Sequence, residues 1–283
     1  MSATRKLDQR LRSLADIGDV MTALKNLALA QVARLRRVAP AQQRVARTVE
    51  SATADFLDHH PQALGLPRGA RTVLLLVGSE RGFCGAYNDA VAEAAAKAAK
   101  DDPLVVVVGH RLAARLGTRL EPAAVVEGPG FSEEVPAAIT RLVNALETLP
   151  VPGATLLPAL TIASHEAGGG PARVHIRPAF APPRPARPAF TEPPRLYLDP
   201  PAFFRELADH HLFAVLHGMF YDALLAENEL RLQHLEGALR RIDEARERLV
   251  ARRNAMRQEE MTEEIEVILL SAAAASGERA AHL

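Results

Sequence analysis

Two long antiparallel terminal helices with an α/β domain inserted between them are the architecture this 283-residue chain predicts. Residues 3–39 contain no proline and a single glycine, Gly18, and the stretch from Phe203 to Ser276 contains no proline at all. Between them lie short apolar runs ending in glycine, the pattern of buried strands. Thirteen of the twenty prolines fall between Pro150 and Pro201 and all twelve aromatics between Phe56 and Tyr221, so the ends differ in kind from the middle. The expected division is a coiled-coil helix over 1–60, a Rossmann-like α/β domain over 70–200 and a second coiled-coil helix over 203–283.

The first helix is predicted by spacing. Leu7, Leu11, Leu14, Ile17, Met21, Leu24, Ala28, Gln31, Leu35 and Val38 succeed one another by three or four residues, an apolar seam with one polar member. Pro40 is expected to kink or interrupt it, and Pro61 to end the segment beyond Pro40. The last helix has a seam of Leu232, Leu235, Leu239, Ile242, Ala245, Leu249 and Met256, and a second phase at Met261, Ile265, Ile268 and Ala272. Some 70 helical residues extend roughly 105–110 Å, longer than a globular core holds, so much of this helix is expected to project. Alone, each seam stays wet, so the two ends are expected to pair. Their charges favour pairing weakly: residues 1–50 carry ten basic against four acidic groups, and 222–283 nine against thirteen.

In the middle, the runs Arg71–Gly78 and Leu104–Gly109 are expected strands with an Ala-rich helix from Asp89 to Lys100 between them, capped by Asn88 or Asp89, as in a right-handed βαβ unit. His110–Leu116 comes next as a short helix, then Ala123–Val126 as a strand and Ser132–Leu149 as a helix. Thr155–Ser164 and Ala172–Arg177 supply two more strands around a Gly168–Gly170 turn, and the Pro-rich run from Pro178 to Pro201 leads irregularly to the last helix.

Composition excludes several classes. Equal numbers of basic and acidic residues, 34 each, do not suit a nucleic-acid binder. No apolar stretch has the length of a bilayer span, and the charged start from Met1 to Arg12 lacks the apolar region of a secretory signal, so neither membrane insertion nor export is expected. The single cysteine, Cys84, leaves no intramolecular disulfide. The adjacent pairs His59-His60 and His210-His211 point different ways on a helix and do not make a metal site. The loop Gly78-Ser-Glu-Arg-Gly-Phe-Cys-Gly-Ala-Tyr-Asn88 lacks the Gly-Lys-Ser/Thr of a P-loop, and its glycine spacing is not that of a dinucleotide fingerprint. Its Gly82-Phe-Cys-Gly-Ala86 core is reminiscent of a nucleophile elbow, with Cys84 as nucleophile and His110 or His165 as base; the alternative is a small side chain buried beneath a glycine turn.

Several separated motifs resemble one family, the γ subunit of F-type ATP synthases. Ser79-Glu-Arg-Gly-Phe-Cys-Gly-Ala-Tyr-Asn88 is similar to its Ser-Asp-Arg-Gly-Leu-Cys-Gly-Gly-Phe-Asn loop, and Asn254-Ala-Met-Arg-Gln-Glu-Glu-Met-Thr-Glu-Glu-Ile265 to its Asn-Lys-x-Arg-Gln-x-x-Ile-Thr-x-Glu-Ile segment. Val20 to Ala28, Tyr197-Leu-Asp-Pro200 and Ala226-Glu-Asn-Glu-Leu-Arg231 resemble further segments in the same order. Thr22, Asn26, Ala86 and Ala226 depart from the family pattern, as a divergent bacterial branch would.

The resemblance implies a rotor shaft turning inside a hexamer of α and β subunits, with the α/β domain resting with ε on a membrane c-ring at the cytoplasmic face of a bacterial inner membrane, driven by H⁺ or Na⁺. It implies no cofactor and no bond chemistry in this chain. Carried over by position, Arg257, Gln258 and Thr262 would contact the β subunit, Leu24 and Lys25 would meet the β lever, Ile265, Ile268, Leu269 and Ala272–Ala275 would form an apolar bearing tip, and Tyr197 and Asp199 would lie towards ε and the ring. The rival expectations are a thiol hydrolase using Cys84 and a non-catalytic coiled-coil scaffold.

Overall fold

The computed structural model describes residues 3–63, 72–99, 103–117, 120–149, 160–166, 173–178, 192–193 and 195–280, the side chains of residues 3, 173, 177, 178 and the last ten excepted. In order these form α1 (Ala3–His59), a 3₁₀ turn (Pro61–Ala63), β1 (Val73–Val77), α2 (Tyr87–Ala98), β2 (Leu104–Val108), α3 (His110–Leu116), β3 (Ala124–Val126), a 3₁₀ turn (Ser132–Glu134), α4 (Val135–Glu147), β4 (Leu160–Glu166), β5 (Arg173–Pro178) and α5 (Pro200–Ala280). Long terminal helices with an inserted sheet are therefore the fold. Contacts divide the chain into two compact units, one of residues 1–26 and 235–283 and one of residues 27–234.

The larger unit is built on one sheet, ordered β3-β2-β1-β4-β5, in which only the β4–β5 pair is antiparallel. Every residue of β1 and β2 is buried, as strands covered on both faces require. Because side chains alternate, each strand feeds two cores. Val73, Leu75 and Val77 pack with Ile139 and Leu142 of α4, Val32 and Leu35 of α1, and Leu216, Met219 and Phe220 of α5. Leu74 and Leu76 pack with Val91 and Ala95 of α2 and Leu112 and Leu116 of α3. The glycine after β1 is required: a Cβ on Gly78 would lie 2.1 Å from the Cβ of Leu112.

Several sequence expectations are corrected here. α1 runs through Pro40 without a break, so of the two effects expected there, a kink or an interruption, the interruption does not occur. The lost N–H costs one helical bond, and buried Leu35 and Ala39 on the adjoining turn hold the helix through it. α2 begins at Tyr87 with no side-chain cap, because the Asn88 amide is turned back to Ser79. The helix expected over Ser132–Leu149 opens with a 3₁₀ turn, in which Glu134 accepts from Gly130 N–H at 2.6 Å. β4, described from Leu160, continues to Glu166, two residues past the expected end at Ser164; residues 155–159, the Gly168–Gly170 turn and most of the Pro178–Pro201 run lie outside the described residues. α5 starts at Pro200, not Phe203, with Asp199 as its cap: its Oδ2 accepts from Ala202 N–H at 3.3 Å.

In the smaller unit the start of α1 and the end of α5 pair antiparallel. Thr4 donates to Glu260 at 2.8 Å, Asp8 meets Arg253 at 3.5 Å and Lys25 meets Glu236 at 3.2 Å. On α5, Leu235 is buried and Leu239, Ile242, Ala245, Leu249 and Met256 half-buried, as the spacing predicts. On α1 the seam departs at one step. Ile17 is 45% exposed, and Gly18 faces Ile242 instead, where a Cβ would lie 3.8 Å from its Cγ2. Leu14 to Gly18 is itself a four-residue step, and a residue without a side chain lets the helices approach closely.

Candidate functional site

The loop after β1 lies at the carboxyl ends of the parallel strands, where open α/β sheets place their functional groups. Glu80 ties three loops there: it accepts from the backbone N–H groups of His110 after β2 (3.2 Å) and Gly128 after β3 (3.0 Å), and its other oxygen meets His110 Nδ1 at 2.8 Å. Burial pushes its carboxyl up, but these hydrogen bonds outweigh that and hold it below its ordinary value. Arg81 lies over the Phe131 ring at 3.7 Å. Phe83 takes a left-handed conformation, φ 63°, and is 51% exposed. Such strain persists only where surrounding contacts determine it. Here Arg231 of α5 donates through Nε to the carbonyl of Gly82 at 3.1 Å, holding the preceding residue.

Arg231 itself is held by a buried network. It pairs with Glu227 one turn back and donates through Nη1 to Asn228 at 2.8 Å. All three side chains are buried. Burial keeps the Glu227 carboxyl above its ordinary value even against Arg231. Tyr87, fully buried, donates to the carbonyl of Ala223 on α5 at 3.3 Å. The network thus fastens the glycine loop and α2 to α5. These roles are not among those the sequence suggests; its only signal for them is the four-residue Glu227–Arg231 spacing within a family-like segment.

Cys84 does not have the environment of a nucleophile. Its thiol is buried, its Sγ lies 3.3 Å from Ser79 Oγ, and its pKa is raised above the ordinary value by burial first of all. Both histidines offered as bases are engaged elsewhere: His110 on Glu80, and His165 through Nε2 on the carbonyl of Tyr87 at 3.0 Å. The hydrolase expectation is corrected accordingly, and Cys84 is the small side chain under a glycine turn. Among the described residues no His/Cys/Asp/Glu group could hold a metal ion, and no helix is long and apolar enough to cross a membrane.

His165 has a consequence for pH. Its ring stacks on Tyr87 at 4.1 Å, and its Nδ1 is buried without a partner. Burial lowers its pKa below 6.5. The unfolded chain then binds the proton more readily, so this contribution to stability is present above about pH 6.5 and lost as pH falls below it. His165→Gln is expected to flatten the fall in Tm of the full chain between about pH 7.5 and 5.5. His217, on α5, is shifted the same way by burial and accounts for part of the remaining slope.

The residues carried over by position are not gathered into one site. Arg257, Gln258 and Thr262 are exposed on α5, and the Thr262 hydroxyl donates to the Gln258 carbonyl at 2.9 Å. Ile265, Ile268 and Leu269 are 57–64% exposed, in a run with Met261, Val267 and Leu270. Leu24 and Lys25 are half-buried, with Lys25 on Glu236. Tyr197 is fully exposed, and Asp199 caps α5. The side chains of Ala272–Ala275 lie outside the described residues.

The same arrangement of helices and sheet occurs in solved ATP synthases. A chain of the Euglena gracilis mitochondrial ATP synthase, in its OSCP/F1/c-ring structure, matches with a TM-score of 0.66 at 15% identity, over 97% of this chain and 95% of that one. A chain of the Tetrahymena thermophila mitochondrial ATP synthase central stalk and c-ring gives 0.53 at 12% identity, over 77% and 99%. At those identities the likeness is one of fold. A family model described as ATP synthase matches residues 3–275, which places the protein in the class of ATP synthase subunits. The ATP synthase gamma chain of Mycobacterium marinum is 31% identical over 145 residues and that of Mycolicibacterium smegmatis 34% over 145. In each case the match covers 47% of both chains, so this chain spans about half the length of those curated relatives. The chain belongs to the γ-subunit family of ATP synthases.

Proposed function

We propose that this chain is the central-stalk rotor subunit of a bacterial F-type ATP synthase, coupling the H⁺- or Na⁺-driven turning of a membrane c-ring to conformational change at catalytic β subunits. The observation that carries the proposal is the helix pair of the smaller unit. It keeps one antiparallel register from Lys25–Glu236 to Thr4–Glu260, and α5 continues beyond Glu260 with a run of exposed apolar side chains. A two-helix rod has no rotational symmetry. Turned inside a ring of subunits, it offers each a different set of contacts and so shifts their conformational populations differently.

In this reading 1–60 and 203–283 are the shaft helices and 70–200 the α/β domain. Arg257, Gln258 and Thr262 contact β; Leu24 and Lys25 meet its lever; Ile265, Ile268 and Leu269 turn in an apolar bearing; and Tyr197 and Asp199 face ε and the ring. Exposure supports the first and third groups, and Tyr197 and Asp199 are exposed as well. The chain is peripheral, on the cytoplasmic face of the inner membrane, and does no bond chemistry itself. The test is to purify it from native membranes in mild detergent. Co-elution with α, β, ε and ring subunits and an ATPase activity is expected; recovery without α and β would overturn the proposal.

A further inference from the structure

Within the smaller unit, Arg246 and Arg253 are seven residues apart on α5, hence on one face and about 10 Å apart along the axis. Asp8 faces Arg253 and Gly18 faces Ile242, so the antiparallel register sets Arg12 of α1 between the two arginines. These side chains line a groove of about 460 Å³ whose apolar wall is Leu11, Ala15 and Val250. Among the described residues lining it Asp8 is the one carboxylate, and it reaches Arg253 Nη1 at 3.5 Å; Arg246 also borders an adjoining groove that holds Asp19 and Asp243. The Nε of Arg253 is buried with no partner, while Arg12 and Arg246 are exposed.

We propose that this groove is a binding site for polyphosphate-class anions. Its cations repel one another, and an anion in the groove relieves that repulsion. Guanidinium forks match phosphate oxygens bidentately. A row of charges about 10 Å long suits several linked phosphates better than one. The wall is aliphatic, with no aromatic ring to stack on a base, and the guanidinium groups are taken up by phosphate, so the site reads the phosphate chain and not what it carries. The inference stands on this unit's geometry alone, whether or not the chain is a rotor.

The test is calorimetric titration of the full chain, without other subunits, at low ionic strength where such contacts are least screened. Tripolyphosphate and ATP are expected to bind within about threefold of each other, and orthophosphate at least about tenfold more weakly. Arg12→Gln with Arg246→Gln, both exposed and replaced by a good helix former, is expected to weaken tripolyphosphate at least about tenfold with helicity unchanged. Asp8→Asn removes the competing carboxylate and is expected to tighten binding about threefold. No saturable binding, or binding undiminished in the double variant, would overturn the site. Tighter binding of a tetraglutamate peptide than of tripolyphosphate would overturn it too, making the groove a docking surface for an acidic protein segment.

Discussion

Glu227→Ala is expected to destabilise the protein by about 3–5 kcal/mol, because it strips the counter-ion from a guanidinium that has little access to water. Arg231 is 7% exposed and Glu227 4%. With the carboxylate gone, Arg231 keeps only the Asn228 side chain and the Gly82 carbonyl. For a unit of this size that corresponds to a fall in Tm of roughly 10 °C. The raised pKa of Glu227 says that desolvation outweighs its attraction to Arg231, so the pair is not itself a large source of stability. Replacing both, as Glu227→Met with Arg231→Leu, is therefore expected to cost much less than Glu227→Ala alone. The double variant loses something else: the hydrogen bond that holds Gly82 beside the left-handed Phe83. Urea unfolding of the single and double variants measures both effects. A single variant within about 1 kcal/mol of the parent would show that water reaches Arg231 after all.

The buried pair also marks where sequence stops being informative. A Glu and an Arg four residues apart occur most often on wet helix faces, and nothing in the spacing distinguishes a pair enclosed beneath a glycine loop. The strands were legible because Leu74 and Leu75 are apolar whichever core each enters, so a sheet covered on both faces shows as an unbroken apolar run. The helix pair was legible for a related reason, since a three-or-four spacing survives small errors of phase. At Gly18 it did not survive: Ile17 has the side chain that periodicity favours, but close approach to Ile242 favours the residue that has none. Asn88 misled in a similar way. Its type suits a helix cap, yet its amide closes the β1 loop onto Ser79 inside the first turn. Residues carried over from a family motif, such as Arg257 and Gln258, have positions and exposures in an isolated chain but no partners there to define their roles.

Those two residues give the largest functional effect to be expected. In the isolated chain Arg257→Ala with Gln258→Ala should leave Tm nearly unchanged, since both side chains are exposed and alanine is the best helix former. In the complex proposed above each would make a polar contact to β, and a hydrogen bond to a charged group contributes about 1.5–3 kcal/mol. Contacts of that size made in only some orientations of the shaft act on the barrier to turning, where about 1.4 kcal/mol is a tenfold change in rate. The double variant is therefore expected to lower ATP turnover of the reconstituted complex at least about tenfold. Thr262→Ala should cost far less, because its hydroxyl is already engaged with the Gln258 carbonyl within the same helix. Glu247→Ala, exposed on the same helix and outside the motif, should stay within about twofold of the parent. Equal losses in the Glu247 and Arg257/Gln258 variants would mean that turnover responds to any truncation of side chains along α5. Only a loss confined to the second, with assembly intact, assigns to this face of α5 a contact through which torque passes.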